Sequence, residues 1–522
     1  MMSVPRKIRS TEQRTPSRRR WMFRLIAMLS APGLIVAAEL FCSVFGFGAA
    51  EVGDDPFVEF AASRPLFELL TDGDRYRTSE QRLGFFRRVE FDRIKPSKEF
   101  RIFVVGGSTV QGHPYSVETS FPSCLQTALQ IADPSISWNV VNCGGVSYAS
   151  YRLVPVVQEC LQYQPDLVIF CEGHNEFLED VTYAPIREQS PSRQSIGEAS
   201  NQLRIVRLLR RMFQSERTQQ AMQRVKDGVD QAVPRTLLTA EVDTILNHDG
   251  GLEAYHRDDR HAETVVEHFR TNLERMHRLC ENHGVPLLIV QPPSNLADCP
   301  PFKSEFSSET TDELRRRIGQ KLLEARSLSR ASTTDAIAVA KEAVQLDPRF
   351  AASCYELGKL QLAYHDFEAA RESLQRACDE DVCPLRMTSP LVQAMQETVT
   401  QFQIPLLNAD DLLRGMSRNG VIGYDLLVDH VHPSFRGNEE IGIAIADWMI
   451  AAGFASPQTD LWQQKTREVC RKRLQSLSDL YFLKGRQKLE ILRLWAAGRS
   501  GGPPLANSST SAPKHPESAG GE

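Results

Sequence analysis

The feature that most constrains this chain is a unit that recurs along it. A short run of apolar, largely β-branched residues stops at a Gly, Asn or Pro cluster, and a helical pattern follows. Residues 102–105 end in Gly106-Gly107, and Trp138-Asn-Val-Val-Asn142 leads into Cys143-Gly144-Gly145. Asp166-Leu-Val-Ile-Phe-Cys171 leads into Glu172-Gly173. Val285-Pro-Leu-Leu-Ile-Val290 leads into Gln291-Pro-Pro-Ser-Asn295, and Ile404-Pro-Leu-Leu-Asn408 reads as the last strand. Helical stretches fall over 120–132, over 151–163 before Pro165, and over 437–452, where Ile441, Ile445 and Met449 share a face. Strands alternating with helices predict an α/β fold, a three-layer α/β/α sandwich with a mainly parallel sheet.

At 522 residues the chain exceeds one ordinary domain. A net charge of -5 gives no support to nucleic acid as a partner. The eleven cysteines are scattered, with Cys378 and Cys383 the closest pair. Their odd number leaves at least one thiol without an intramolecular partner, and no pairing can be read from them. They form no metal-type array, and the sequence shows no phosphate loop, no zinc-protease helix motif and no Cys-x-x-Cys, so no metal or organic cofactor is expected.

The amino-terminal end reads as a membrane element. Residues 1–20 carry Arg6, Lys7, Arg9, Arg14 and Arg18-Arg19-Arg20 against Glu12 alone. Within 21–50 an apolar run from Leu25 to about Ala50 follows, interrupted by Pro32-Gly33 and Glu39. It reads as a transmembrane signal anchor with its basic flank in the cytoplasm and everything after residue 50 outside. A cleaved signal peptide ending near Ala49-Ala50 is the alternative. Residues 51–98 read as a connecting segment. Residues 182–272 form a helical insertion with Leu203, Val206, Leu208, Leu209 and Met212 in amphipathic register, either a cap over the site or a solvated appendage. Over 326–383, Ala336, Ala340 and Ala343 recur 34 residues later as Ala370, Leu374 and Ala377. That period resembles a tetratricopeptide unit, read as a protein-contact surface or as a spacer leaning on the main domain. The catalytic body is then divided into 99–181, 273–325 and 384–455. A helical segment over 456–499 and a disordered tail over 500–522 complete the chain.

Ser108 follows a strand that ends in two glycines, at the edge where parallel sheets bind ligands. Four blocks recur in order: Gly106-Gly107-Ser108, Asn142-Cys-Gly144-Gly145-Val-Ser147, Gly173-His174-Asn175-Glu176, and Asp429-His-Val-His432-Pro433. Together they resemble the SGNH, or GDSL-like, serine hydrolases, over roughly 99–180, 283–300 and 400–452. The anchor, with Glu39-Leu40 and Gly46-Phe-Gly48, resembles that of membrane-bound members with repeat insertions. The resemblance implies Ser108 as nucleophile, His432 as its base and Asp429 as the group that orients the imidazole. It also implies oxyanion donors at the Ser108 backbone, the Asn175 amide and a backbone N–H of the second block. Aligned without gaps from Asn142, the family's oxyanion glycine falls on Ser147. Gly107 stands where Asp is commoner in the family. Gly107, Gly144, Gly145, Gly173, His174 and Glu176 would line the site. His430 competes with His432 as base, at a spacing from Asp429 that is wrong for the family. His113 flanks the site, and Tyr148 and Tyr151 read as packing.

The activity implied is hydrolysis of acyl esters, acetyl or longer, on a polysaccharide, glycolipid or lipid outside the cytoplasm. O-acyl transfer through the same triad is an alternative. A catalytically silent envelope scaffold that binds a protein partner through the repeat insert is another, against which the intact Ser108, Asp429 and His432 argue.

Overall fold

The computed structural model describes residues 58–60, 64–179, 237–238, 242, 244 and 251–496. The expected basic segment, the anchor over 21–50, most of the 182–272 insertion and the tail over 500–522 lie outside the described residues. Among the described residues no helix is long and apolar enough to cross a membrane. The chain divides into two compact units. The smaller comprises Met1–Ala61 and Ala184–Leu238, and within it Glu59–Phe60 pairs in parallel with Leu237–Leu238.

The larger unit comprises Ala62–Tyr183 and Thr239–Glu522. It opens with three short strands: β1 (Phe67–Leu69), β2 (Arg75–Thr78) and β3 (Glu90–Asp92). The alternating body follows as β4 (Glu99–Gly106), α1 (Ser108–Gln111), α2 (Phe121–Ala132), β5 (Ser137–Gly144), α3 (Ser150–Cys160) and β6 (Leu167–Cys171). Then come α4 (Asp259–Asn282), β7 (Leu287–Gln291), α5 (Asp312–Leu328), α6 (Thr333–Leu346), α7 (Ala351–Ala363) and α8 (Phe367–Asp379). The chain closes with α9 (Ser389–Phe402), β8 (Leu406–Asn408), α10 (Ala409–Met416), α11 (Phe435–Ala451), α12 (Trp462–Ser476) and α13 (Asp479–Ala496).

The five-stranded sheet is parallel throughout, in the order β8-β7-β6-β4-β5. The first strand of this sheet in the sequence, β4, is internal, and its successors lie on opposite sides of it. The strand order reverses between β4 and β6, and such a switch point opens a crevice at the carboxyl ends of the two strands. Register places Gly106 opposite Gly144 on one side and Cys171 on the other. The three following loops thus leave the sheet at one level.

Burial on both faces explains why the strands read as continuous apolar runs. Residues 101–106 are all buried, as is every residue of β6 and β7. On one face Ile102, Val104, Ile169 and Val290 pack with Leu125 and Leu129 of α2 and Ile441, Ile445 and Met449 of α11. Helices α3, α4 and α9 pack against one another on the other face. Helix α4 runs across the boundary expected at 272, and its Phe269, Leu273 and Met276 are buried.

The segment expected to be a connector contains a three-stranded antiparallel sheet, β1-β2-β3. Its Phe67 and Phe91 rings meet Phe103 of β4 at 6.3 and 5.5 Å. Arg101, wholly buried, ties the sheets together by donating to Asp92 O at 2.9 Å and Tyr163 O at 3.0 Å while pairing with Glu99 at 2.6 Å. Strands of three or four residues carry too little periodicity to be read from sequence.

Helices α5 to α8 pack in sequence as a helical array that begins at Asp312, ahead of the boundary expected at 326. Buried Ala336, Ala340, Ala343, Ala370 and Ala377 let the helices approach closely. A Cβ on Gly358 would stand 2.5 Å from Leu374 Cγ. The array leans on the loop after β7, where Lys359 Nζ donates to Ala297 O at 2.7 Å.

The α2–α11 contact is the tightest test of this packing. A Cβ on Gly442 would meet Cys124 Cβ at 2.7 Å, Leu125 N at 2.8 Å and Phe121 O at 2.9 Å. Two of these atoms are backbone and have little room to move. We expect Gly442→Leu to destabilise the unit by about 2 kcal/mol or more through overpacking, read as a lower denaturant midpoint.

Candidate active site

The site is built where β4, β5 and β6 end. Ser108 is the first residue of α1, so its N–H has no carbonyl to bond within that helix. Gly144 lets α1 sit over β5, because a Cβ there would overlap Gln111 N. The Gln111 amide then fixes the turn by donating to Phe85 O at 2.6 Å and Gly144 O at 3.1 Å.

The loop before α11 brings the acid and base together by a local device. Asp429 Oδ1 accepts the N–H groups of Val431 at 2.9 Å and His432 at 2.8 Å. A carboxylate that bonds its own chain two residues on folds a tight turn. The turn sets the His432 ring beside Asp429, with Nδ1 2.7 Å from Oδ2. On the far side of the ring, Nε2 lies 2.7 Å from Ser108 Oγ. Asn295, wholly buried, holds the turn from behind: its Nδ2 donates to Asp429 O at 2.8 Å and its N–H to His430 O at 2.9 Å.

Distance separates the two histidines next to Asp429. His430 Nδ1 stands 3.7 Å from Asp429 Oδ1, beyond hydrogen-bond range, whereas His432 is well within it. Burial alone would push the Asp429 carboxyl up. Attraction to His432 and the hydrogen bonds it receives outweigh burial and hold it well below the usual carboxylate range. Burial pushes His430 down to about 4, against the pull of Asp429. Burial likewise takes His174 to about 3 and His113 to about 3, in both cases with His432 adding repulsion. The three rings around His432 are therefore neutral at pH 7. His113 stacks obliquely on His432 with centroids 5.2 Å apart, and His174 Nε2 lies 3.2 Å from Pro293 O.

The candidate oxyanion donors come from three segments. Asn175 Nδ2 donates to Tyr148 O at 3.1 Å, which leaves its second proton to serve another acceptor. Ser147 precedes that anchoring Tyr148 and has φ 63°, the left-handed region that favours glycine. A serine there keeps the backbone N–H at a local cost of about 1 kcal/mol. A Cβ on Gly145 would press on the Phe86 ring at 2.7 Å, and one on Gly173 would overlap Met387 Sδ. Glu176 serves the fold rather than the crevice: Oε1 accepts from Ser150 N and Oε2 from Ser150 Oγ, each at 2.8 Å, at the start of α3. Burial pushes its carboxyl up to about 8.

Two residues at this site carry no sequence signal of their own. Asn295 and Glu172 are buried polar side chains in loops, and only burial marks them out.

No protein-family model matches the sequence, and no curated protein matches it. Among the solved structures similar to it in part are three hydrolases. A putative lipolytic protein of the G-D-S-L family from Desulfitobacterium hafniense DCB-2 is 12% identical, over 66% of this chain and 98% of its own, with a TM-score of 0.27. A lipase/acylhydrolase from Enterococcus faecalis is 11% identical over 69% and 99%, with a TM-score of 0.30. An alpha/beta hydrolase enzyme from the metagenome of Lake Arreo, Spain, is 10% identical over 68% and 95%, with a TM-score of 0.29. At TM-scores this low, the α/β assignment stands on the strand order and register described above.

Two outcomes follow from the site's energetics. Because the folded Glu176 carboxyl sits above its unfolded value, its stabilising contribution is complete below about pH 4.5 and is lost as pH rises toward 8. The melting temperature of Glu176→Gln relative to the parent should therefore rise between pH 5 and pH 8.5. Ser147→Gly should relieve the left-handed strain and stabilise the unit by about 1 kcal/mol, measured by denaturant unfolding.

Proposed function

We propose that this protein is a serine esterase or deacylase that works through an acyl-enzyme. The observation that carries the reading is the continuous line from Asp429 Oδ2 through both His432 nitrogens to Ser108 Oγ, with both hydrogen bonds at 2.7 Å. A serine hydroxyl is a weak nucleophile without a base. His432 Nε2 takes the proton as Oγ attacks the acyl carbonyl, and the tetrahedral intermediate places a negative charge on the former carbonyl oxygen. His432 then returns the proton to the leaving alcohol, and water repeats the sequence to release the acid. Asp429 holds the tautomer with the proton on Nδ1 and stabilises the imidazolium. Its position well below the usual carboxylate range keeps it ionised throughout.

The oxyanion would be met by the Ser108 N–H, the free proton of Asn175 Nδ2 and the Ser147 N–H. Such donors are worth about 3 kcal/mol each where one has been removed. We read the substrate as an O-acyl group, acetyl or longer, on a polysaccharide, glycolipid or lipid. The basic segment over 1–20 and the apolar run over 21–50 support placement of the site outside the cytoplasm, on a membrane anchor.

The test uses the full-length protein in detergent with a fluorophosphonate probe. The parent should label, Ser108→Ala should not, and His432→Ala should label at least about a thousandfold more slowly. A folded parent that fails to label, or a His432→Ala variant that labels at the parental rate, would rule the reading out.

A further inference from the structure

Glu172 is wholly buried and follows directly on β6, whose last residue stands opposite Gly106. Its Oε1 accepts the N–H groups of His174 at 2.9 Å and Asn175 at 3.2 Å. Its Oε2 makes no hydrogen bond of full geometry among the described residues, although the Gly107 N–H acts on the carboxyl. That oxygen occupies the place where a side chain at position 107 would begin. A Cβ on Gly107 would overlap it, and would stand 2.8 Å from Asn175 Nδ2 and 2.9 Å from Glu172 Cδ. Gly107 has φ -84° in extended backbone, which any residue can adopt. Space, and not conformation, is what keeps a side chain out.

This arrangement is costly in isolation. Burial pushes the Glu172 carboxyl up to about 7 against the opposing influence of the Gly173, His174, Asn175 and Gly107 N–H groups, and no cation among the described residues offsets it. A buried polar group held at such cost calls for a compensating role. Two of the candidate oxyanion donors, the Ser108 N–H and the Asn175 amide, belong to different loops. Glu172 bonds the backbone of one loop and fills the space against the other, so it couples their positions.

We propose that Glu172 is a positioning residue for the oxyanion site, its carboxyl standing in for the missing side chain at 107 and locking the nucleophile turn to the Asn175 loop. The proposal rests on the hydrolase reading. It makes Gly107 and Glu172 a matched pair: each is tolerated because of what the other is. A carboxyl carbon one bond beyond a Cβ at 107 can turn toward Glu172 Cδ, which stands 2.9 Å from that Cβ, so the two carboxyls would share one volume. An aspartate at 107 can therefore deliver a carboxylate to the same N–H groups once Glu172 is cut back.

The experiment is a double-mutant cycle in the full-length protein, read both as fluorophosphonate labelling rate and as melting temperature. Gly107→Asp alone should slow labelling by about a hundredfold or more, because two carboxylates then compete for one volume. Glu172→Ala alone should slow it by about tenfold or more, as the N–H groups of His174 and Asn175 lose their acceptor. The double variant should label at least about tenfold faster than Gly107→Asp alone, a rescue that a purely structural loss would not produce. A double variant no faster than Gly107→Asp, in a protein whose parent labels, overturns the proposal. Coupling in melting temperature without coupling in rate does so too, since the pair would then serve packing alone. A folded parent that does not label overturns the hydrolase reading, and this proposal with it.

Discussion

The register of β4 between β5 and β6 is the constraint on which the rest of this structure depends. Gly106, Gly144 and Cys171 stand level at the sheet's end, so three loops distant in sequence emerge side by side. Each glycine at that level removes a Cβ that would strike a neighbouring backbone or side chain. With those side chains absent, the nucleophile turn, the Ser147 loop and the Asn175 loop share one small volume. The base arrives from a fourth segment, delivered by α11 as it packs on α2 through Gly442.

Charge inside this volume is managed by neutralisation more than by pairing. Asp429 is the anion the site keeps, and it is held by His432 and by two N–H groups of its own turn. The histidines that crowd the base are uncharged because burial removes their protons. Their neutrality matters, since a second cation beside His432 would oppose the imidazolium that forms during proton transfer. The same burial raises Glu172 and Glu176, two carboxyls without cations, toward neutrality at ordinary pH. The fold thus keeps one strongly ionised group where a positive charge must develop.

Much of this was legible in the chain. Apolar runs such as 102–105 and 167–171 announce doubly buried strands, because a parallel sheet covered on both faces has no polar side. The helical pattern with Ile441, Ile445 and Met449 appears as α11, since the helical period of about 3.6 residues can be read without tertiary context. Asp429 and His432 form their pair within four residues, so local backbone geometry suffices to bring them together. The small antiparallel sheet was not legible, because strands as short as Phe67–Leu69 have no period to detect and owe their existence to rings packed on Phe103.

What the sequence by itself determined is the alternation of elements, hence a parallel α/β body, and the chemical types gathered at its loops. What only the tertiary structure decided is which buried polar groups face which. Nothing in the order of residues says that Glu172 fills the space above Gly107, that Asn295 holds the Asp429 turn, or that His432 and not His430 meets Ser108. Those relations are set by small differences in distance between groups that the fold brings together, such as 2.7 Å for His432 against 3.7 Å for His430 at Asp429. Hydrogen bonding and desolvation depend steeply on such distances, whereas hydrophobic periodicity does not.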